Sequence, residues 1–122
     1  MARILVCDDD DAFAGVVCSF FEKAGHLVTR CADVNQLAAT LGHEQADLLI
    51  VDMQMPGGGG PAAAKLLAGS RADLPVLVCS GMPAAQSKAW FPGVKKVRGL
   101  QKPVALDVLQ KNVEELLASP AA

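Results

Sequence analysis

Asp47-Leu48-Leu49-Ile50-Val51-Asp52 decides the fold of this 122-residue chain. Its middle is apolar without alternation, the pattern of a strand covered on both faces, and it ends in a carboxylate. A second run, Ile4-Leu5-Val6-Cys7, ends in Asp8-Asp9. If both runs are parallel strands, three carboxylates meet at one edge of a sheet. Like charges held so close oppose one another unless a cation or a chemical step uses them.

Around these runs the hydrophobic period changes repeatedly. From Ala12 to Ala24, residues Phe13, Val16, Val17, Phe20, Phe21 and Ala24 fall at helical spacing, with Asp11 in place to cap the helix and Gly25 to end it. Leu27–Cys31 is mixed in polarity and reads as an edge strand. Asp33 or Asn35 opens a short helix through Leu37, Ala38 and Leu41, stopped by Gly42. Met55-Pro56 and glycines 57–60 form a loop, and Pro61 suits the first turn of a helix reaching Ala68. Pro75-Val76-Leu77-Val78-Cys79 reads as a fourth strand. A weak helix spans about 84–91, a short fifth strand lies near Val97–Leu100, and Lys102-Pro103 leads into a last helix carrying Leu106, Leu109, Val113, Leu116 and Leu117. Strand and helix alternate five times over short connections. That order argues for a parallel α/β sheet covered on both sides, with its ligand crevice at the carboxyl ends of the strands.

Composition bounds the function. The length suits one domain, expected over 1–119 with 120–122 as a frayed tail and no output domain in the chain. A hydrophobic share of 52% argues against disorder, and a net charge of −2 gives no electrostatic case for nucleic acid or an anionic membrane. The apolar runs stop far short of the ~18 residues of a membrane span. Met1-Ala2-Arg3 runs straight into a strand, which leaves no room for a leader, so the cytoplasm is the expected compartment. Cys7, Cys18, Cys31 and Cys79 show no CxxC spacing and read as reduced, mostly buried thiols.

The strand ends carry the chemistry. The first delivers Asp8 and Asp9, the third Asp52, the fourth Ser80 and, two residues past the fifth, Lys102. Mg²⁺ takes oxygen ligands at about 2.0–2.1 Å and keeps several waters, so two carboxylates and a backbone carbonyl suffice to bind it. One carboxylate is then able to attack a phosphoryl group, with the metal, Lys102 and Ser80 meeting its oxygens. Asp10 and Asp11 read as cap and loop residues rather than ligands. His26 and His43 sit beside glycines in expected turns and read as solvated. Trp90 and Phe91 fit either a packed helix or an exposed anchor. The glycine loop lacks the Lys-Ser/Thr of a P-loop.

With Ile4-Leu5-Val6-Cys7-Asp8-Asp9-Asp10, Leu49-Ile50-Val51-Asp52-Met53-Gln54-Met55-Pro56-Gly57, Val76-Leu77-Val78-Cys79-Ser80-Gly81 and Lys102-Pro103 in order, the chain resembles the receiver domains of two-component response regulators. The resemblance implies a flavodoxin-like (βα)5 fold with strand order 2-1-3-4-5. It implies that Asp52 accepts a phosphoryl group from a sensor histidine kinase or histidine phosphotransfer protein. Asp9, Asp52 and the backbone carbonyl of Gln54 would ligate Mg²⁺ (or Mn²⁺ in its place), with Asp8 acting through a coordinated water. Ser80 and Lys102 would meet the phosphoryl oxygens, and Lys102–Pro103 would be cis. The output implied is contact with an undefined downstream protein, with no nucleic-acid or membrane binding by this chain, and no enzymatic activity beyond self-phosphorylation and self-dephosphorylation.

The chain departs from the family at several positions. Receivers usually carry Tyr or Phe three residues before the lysine, and this chain has Gly99, so any signal reaching that face travels without a swinging ring. Gln54 and Met82 occupy the positions flanking the phosphoryl group. The four glycines are expected to make a floppy loop, and 93–98 forms a basic segment that reads equally as a face for an acidic partner or as a solvated edge. Two rivals remain. One is an interaction module that signals without phosphorylation, favoured by Gly99. The other is a haloacid-dehalogenase-like phosphatase, disfavoured because Gln54 stands where its second acid belongs.

Overall fold

The computed structural model describes residues 2–118, so the expected tail at 120–122 lies outside the described residues. Its elements run β1 (Arg3–Cys7), α1 (Asp11–Lys23), β2 (Leu27–Cys31), α2 (Val34–His43), β3 (Leu48–Val51), α3 (Gly59–Ser70) and β4 (Val76–Ser80). A 3-10 turn (Ala84–Gln86), α4 (Ser87–Trp90), β5 (Val97–Gln101) and α5 (Leu106–Ala118) complete it. Five parallel strands stand in the order β2-β1-β3-β4-β5, the flavodoxin-like doubly wound topology. β2 is an edge strand, as its mixed polarity predicts, and only Cys31 in it is buried.

Strand side chains alternate between faces, and the chain uses the alternation to build two cores. Leu5, Cys7, Leu49, Val51, Val76 and Val78 pack with Leu37, Ala63 and Leu67 of α2 and α3, and with Phe91. Ile4, Val6, Leu48, Ile50, Leu77 and Cys79 face the other way, against Ala14, Val17 and Phe21 of α1 and Leu109, Val113 and Leu116 of α5. Fully burying each large side chain contributes about 1.5–3 kcal/mol, so both faces bind their helices firmly to one wall. Phe91 is a core residue at 1% exposure, and Trp90 packs partly buried against the same cluster, which settles their role in favour of packing. All four cysteines are free; burial holds the Cys79 thiol up at about 12, which disfavours its thiolate. No helix among the described residues is long and apolar enough to cross a membrane.

Four details differ from expectation. The cap of α1 is Asp10, whose Oδ1 accepts from the N–H groups of Ala12 at 3.0 Å and Phe13 at 3.2 Å. Asp11 is instead the first helical residue, paired with Arg30 at 2.7 Å. α2 runs through Gly42 and ends at Glu44, where the backbone turns extended. His26 is not merely solvated, because its Nδ1 accepts from the Ala2 N–H at 3.1 Å. Half of the glycine loop is packed, since Gly57 and Gly58 are exposed but Gly59 and Gly60 are buried where α3 starts, and Gly60 N–H donates to the Met53 carbonyl at 2.8 Å. A Cβ at Gly60 would lie 2.1 Å from the Met53 methyl carbon, and one at Gly59 would lie 2.6 Å from the Met53 carbonyl oxygen. Close approach explains these two glycines.

Position 99 has a similar explanation. Pro83 and Pro92-Gly93 bracket the segment after β4, which forms one 3-10 turn and one turn of α4. That segment lies directly on β5, where a Cβ at Gly99 would meet Ser87 Oγ at 1.9 Å and the Ala84 carbonyl oxygen at 2.7 Å. The space beside residue 99 is already filled.

Candidate functional site

The sheet register sets the site. Asp8 N–H donates to the Cys31 carbonyl and Asp52 N–H to the Cys7 carbonyl, each at 3.0 Å, so both acids leave their strands while still tied to a neighbour. Lys102 N–H donates to the Ser80 carbonyl at 2.7 Å, carrying the lysine past the end of β5. The following Lys102–Pro103 bond is cis, as expected.

These ties bring the predicted acids and the lysine together. The Lys102 ammonium lies 2.9 Å from Asp8 Oδ2 and 3.1 Å from Asp52 Oδ2. Oxygens of Asp8, Asp9 and Asp52 all lie within 4.8 Å of one another. Asp8 and Asp52 are buried, whereas Asp9 is exposed at the mouth. Asp52 Oδ1 accepts from the Gln54 N–H at 3.1 Å, and Asp8 Oδ1 from the Asp10 N–H at 2.9 Å, so each buried acid has a backbone donor as well as the ammonium. Ser80 is buried at the end of β4. Its Oγ accepts from the Met82 N–H at 3.3 Å, a bond that leaves the hydroxyl proton for another acceptor.

The electrostatics are unequal. Burial pushes the Asp8 carboxyl up, and the Asp52 charge adds to that; the Lys102 hydrogen bond and the Asp10 N–H pull the other way without cancelling it. Burial alone would pull Lys102 down, but its hydrogen bonds to Asp8 and Asp52 outweigh that and hold it above the ordinary lysine value. Three carboxylates against one ammonium leave two negative charges uncompensated, which matches the charge and the oxygen preference of a hard divalent cation.

Two contributors escaped sequence reading. Phe13 places its ring 4.2 Å from the Lys102 ammonium. Arg30, on the edge strand, donates to the Asp8 carbonyl at 3.0 Å while pairing with Asp11, and so ties the acidic loop to β2. Phe13 carried a signal only in following the acidic run by two residues; Arg30 carried none, because nothing local links β2 to that loop.

Comparison with known proteins concerns the family and the fold. The family profile described as the response regulator receiver domain matches residues 4–114. Protein PilH of Pseudomonas aeruginosa is 28% identical over 120 residues, covering 97% of this chain and 99% of PilH. Two other curated relatives are about twice as long, the chain spanning 54% of one and 47% of the other. Among solved structures, the non-phosphorylated HemR receiver domain of Leptospira biflexa superposes with a TM-score of 0.88 at 20% identity, over 100% of this chain and 98% of that one. The receiver domain of sensor histidine kinase PA1611 from P. aeruginosa, with magnesium coordinated in its active-site cleft, gives 0.84 at 18% identity, over 97% and 98%. At such identities these two likenesses concern the fold.

Proposed function

Because this chain belongs to the response regulator receiver domain family, we propose that it is a signalling switch that accepts a phosphoryl group on Asp52. The donor is the phosphohistidine of a sensor histidine kinase or a histidine phosphotransfer protein, met in the cytoplasm, and the output is contact with a downstream protein. One observation carries the reading: a buried Asp52 carboxylate that faces an ammonium at 3.1 Å and shares its crevice with two more acids.

Each residue has a derivable part. One Asp52 oxygen attacks phosphorus; its O–P bond forms as the P–N bond of phosphohistidine breaks, and the electron pair leaves on the imidazole nitrogen, which takes up a proton. The Gln54 N–H and Lys102 hold the carboxylate at a fixed angle, so little reorganisation precedes attack. Lys102 and the Ser80 hydroxyl then meet phosphoryl oxygens as charge spreads over them. Asp8, Asp9, Asp52 and the Gln54 carbonyl are the groups assigned to Mg²⁺, which when bound supplies positive charge against those oxygens. The charge left uncompensated by Lys102 supports that assignment. The phosphoryl group ends on the chain itself, so the chain acts as an acceptor, with self-phosphorylation and self-dephosphorylation as its own chemistry.

The test is intact mass after incubation with acetyl phosphate and Mg²⁺. The wild type should gain one phosphoryl group, and neither Asp52→Asn nor chelator-treated protein should gain it. Modification that persists in Asp52→Asn refutes the assignment. An interaction module that signals without phosphorylation has the filled space beside Gly99 in its favour, and a wild type that stays unmodified would select it.

A further inference from the structure

Lys102 has a neighbour that is not an acid. Its ammonium stands 4.2 Å from the centroid of the Phe13 ring, on a lysine side chain that is 21% exposed. A ring face attracts a cation through its quadrupole, and does so more strongly as water is excluded. The ring is also firmly aimed. Phe13 lies in the first turn of α1, where its N–H donates to the Asp10 cap at 3.2 Å, and its side chain packs partly buried against the core formed with α5.

The ammonium therefore has two kinds of anchor, and they respond differently to a loaded site. Asp8 and Asp52, at 2.9 and 3.1 Å, are also the groups assigned to the cation, and Asp52 is the acceptor. Their negative charge is shared or consumed once metal and phosphoryl arrive. The ring keeps its quadrupole throughout. We propose that Phe13 is a positioning residue that holds the Lys102 ammonium inside the crevice, facing the phosphoryl oxygens, during transfer to Asp52; this rests on the acceptor reading above. A leucine would fill much of the same volume and pack on the same core, but it would offer the ammonium no counterpart to the ring face.

The test varies the ring's charge and leaves its shape nearly constant. Monofluoro-, trifluoro- and pentafluorophenylalanine are placed at position 13 by site-specific incorporation, beside Phe13→Leu. Each protein is phosphorylated by acetyl phosphate at saturating Mg²⁺, and the rate is read from intact mass. The rate should fall stepwise with fluorine number, by roughly threefold to tenfold at pentafluorophenylalanine and in Phe13→Leu. The Mg²⁺-induced shift in melting temperature should not change, since the ring touches none of the carboxylates assigned to the metal. A flat fluorine series in a wild type that is phosphorylated overturns the positioning role alone, and a loss confined to Phe13→Leu does the same by assigning Phe13 to packing. A wild type that takes no phosphoryl group overturns the acceptor reading and this inference with it.

Discussion

Replacing Gly99 with alanine adds one methyl group to β5, and two effects pull the outcome in opposite directions. Within a strand, alanine is favoured over glycine by roughly 0.5–1 kcal/mol, because glycine loses more backbone freedom on folding. Packing opposes it: the new Cβ would lie 1.9 Å from Ser87 Oγ, 2.7 Å from Ser87 Cβ and 2.7 Å from the Ala84 carbonyl oxygen. The hydroxyl is able to rotate away, but the Cβ and the carbonyl move only with the backbone. Overpacking of this kind costs about 1–3 kcal/mol, so the net effect is a loss of about 1–2 kcal/mol and a melting temperature lower by on the order of 5 °C. Ser87 supplies the control. Its Oγ is buried with no hydrogen-bond partner among the described residues, so Ser87→Ala should be neutral or stabilising by up to about 1 kcal/mol. Combined with Gly99→Ala, it removes the shortest contact and leaves the other two, so the cost of the added methyl should shrink by roughly 0.5–1 kcal/mol. Urea titrations followed by the fluorescence of Trp90, the sole tryptophan and three residues beyond Ser87, measure all four proteins. Gly99→Ala as stable as the wild type, or a cost that ignores Ser87→Ala, refutes the packing argument.

Two further outcomes follow from the acid cluster. Mg²⁺ at ten times its dissociation constant should stabilise the fold by about 1.4 kcal/mol, and Asp9→Asn should remove most of that gain at little cost of its own, because Asp9 is exposed; a melting temperature indifferent to Mg²⁺ in the wild type would refute the assignment. Burial raises the Asp8 carboxyl, so in metal-free protein its contribution is fully present below the unfolded-state value near pH 4 and is lost as pH rises through the higher folded value. Urea titrations across that window should show Asp8→Asn losing less stability with rising pH than the wild type does, and parallel curves would count against the shift.

What the sequence revealed, and what it hid, divides along physical lines. The unbroken run Leu48–Val51 and its twin Ile4–Cys7 announced buried parallel strands, and a crevice at strand ends follows from topology. Asp8, Asp52 and Lys102 were therefore visible before any coordinates. The Asp10 cap was hidden in a run of four aspartates, since the choice depends on where the backbone leaves extended geometry and on Arg30 drawing Asp11 aside. Phe13 belonged to a helical stripe and looked like core, which it partly is; its second contact reaches a residue 89 positions away, beyond any local period. Gly99 showed only that a ring was missing. What stands in its place, Ser87 on a one-turn helix, is a packing fact carried by no motif.

The alternation that divides the core also governs how the molecule comes apart. Leu5 and Leu49 hold one layer while their neighbours Ile4 and Ile50 hold the other, so a strand cannot withdraw from one layer without stripping the second. β1, β3 and β4 thus form one cooperative unit, whose amides should exchange with solvent only on global unfolding. The segment from Pro83 to Pro92 stands outside that unit, with one helical turn and Phe91 as its buried apolar anchor. It is the part free to open on its own, and it borders Ser80 at one end and Gly99 along its length. In this chain that local opening lies beside the crevice of Asp8, Asp9 and Asp52.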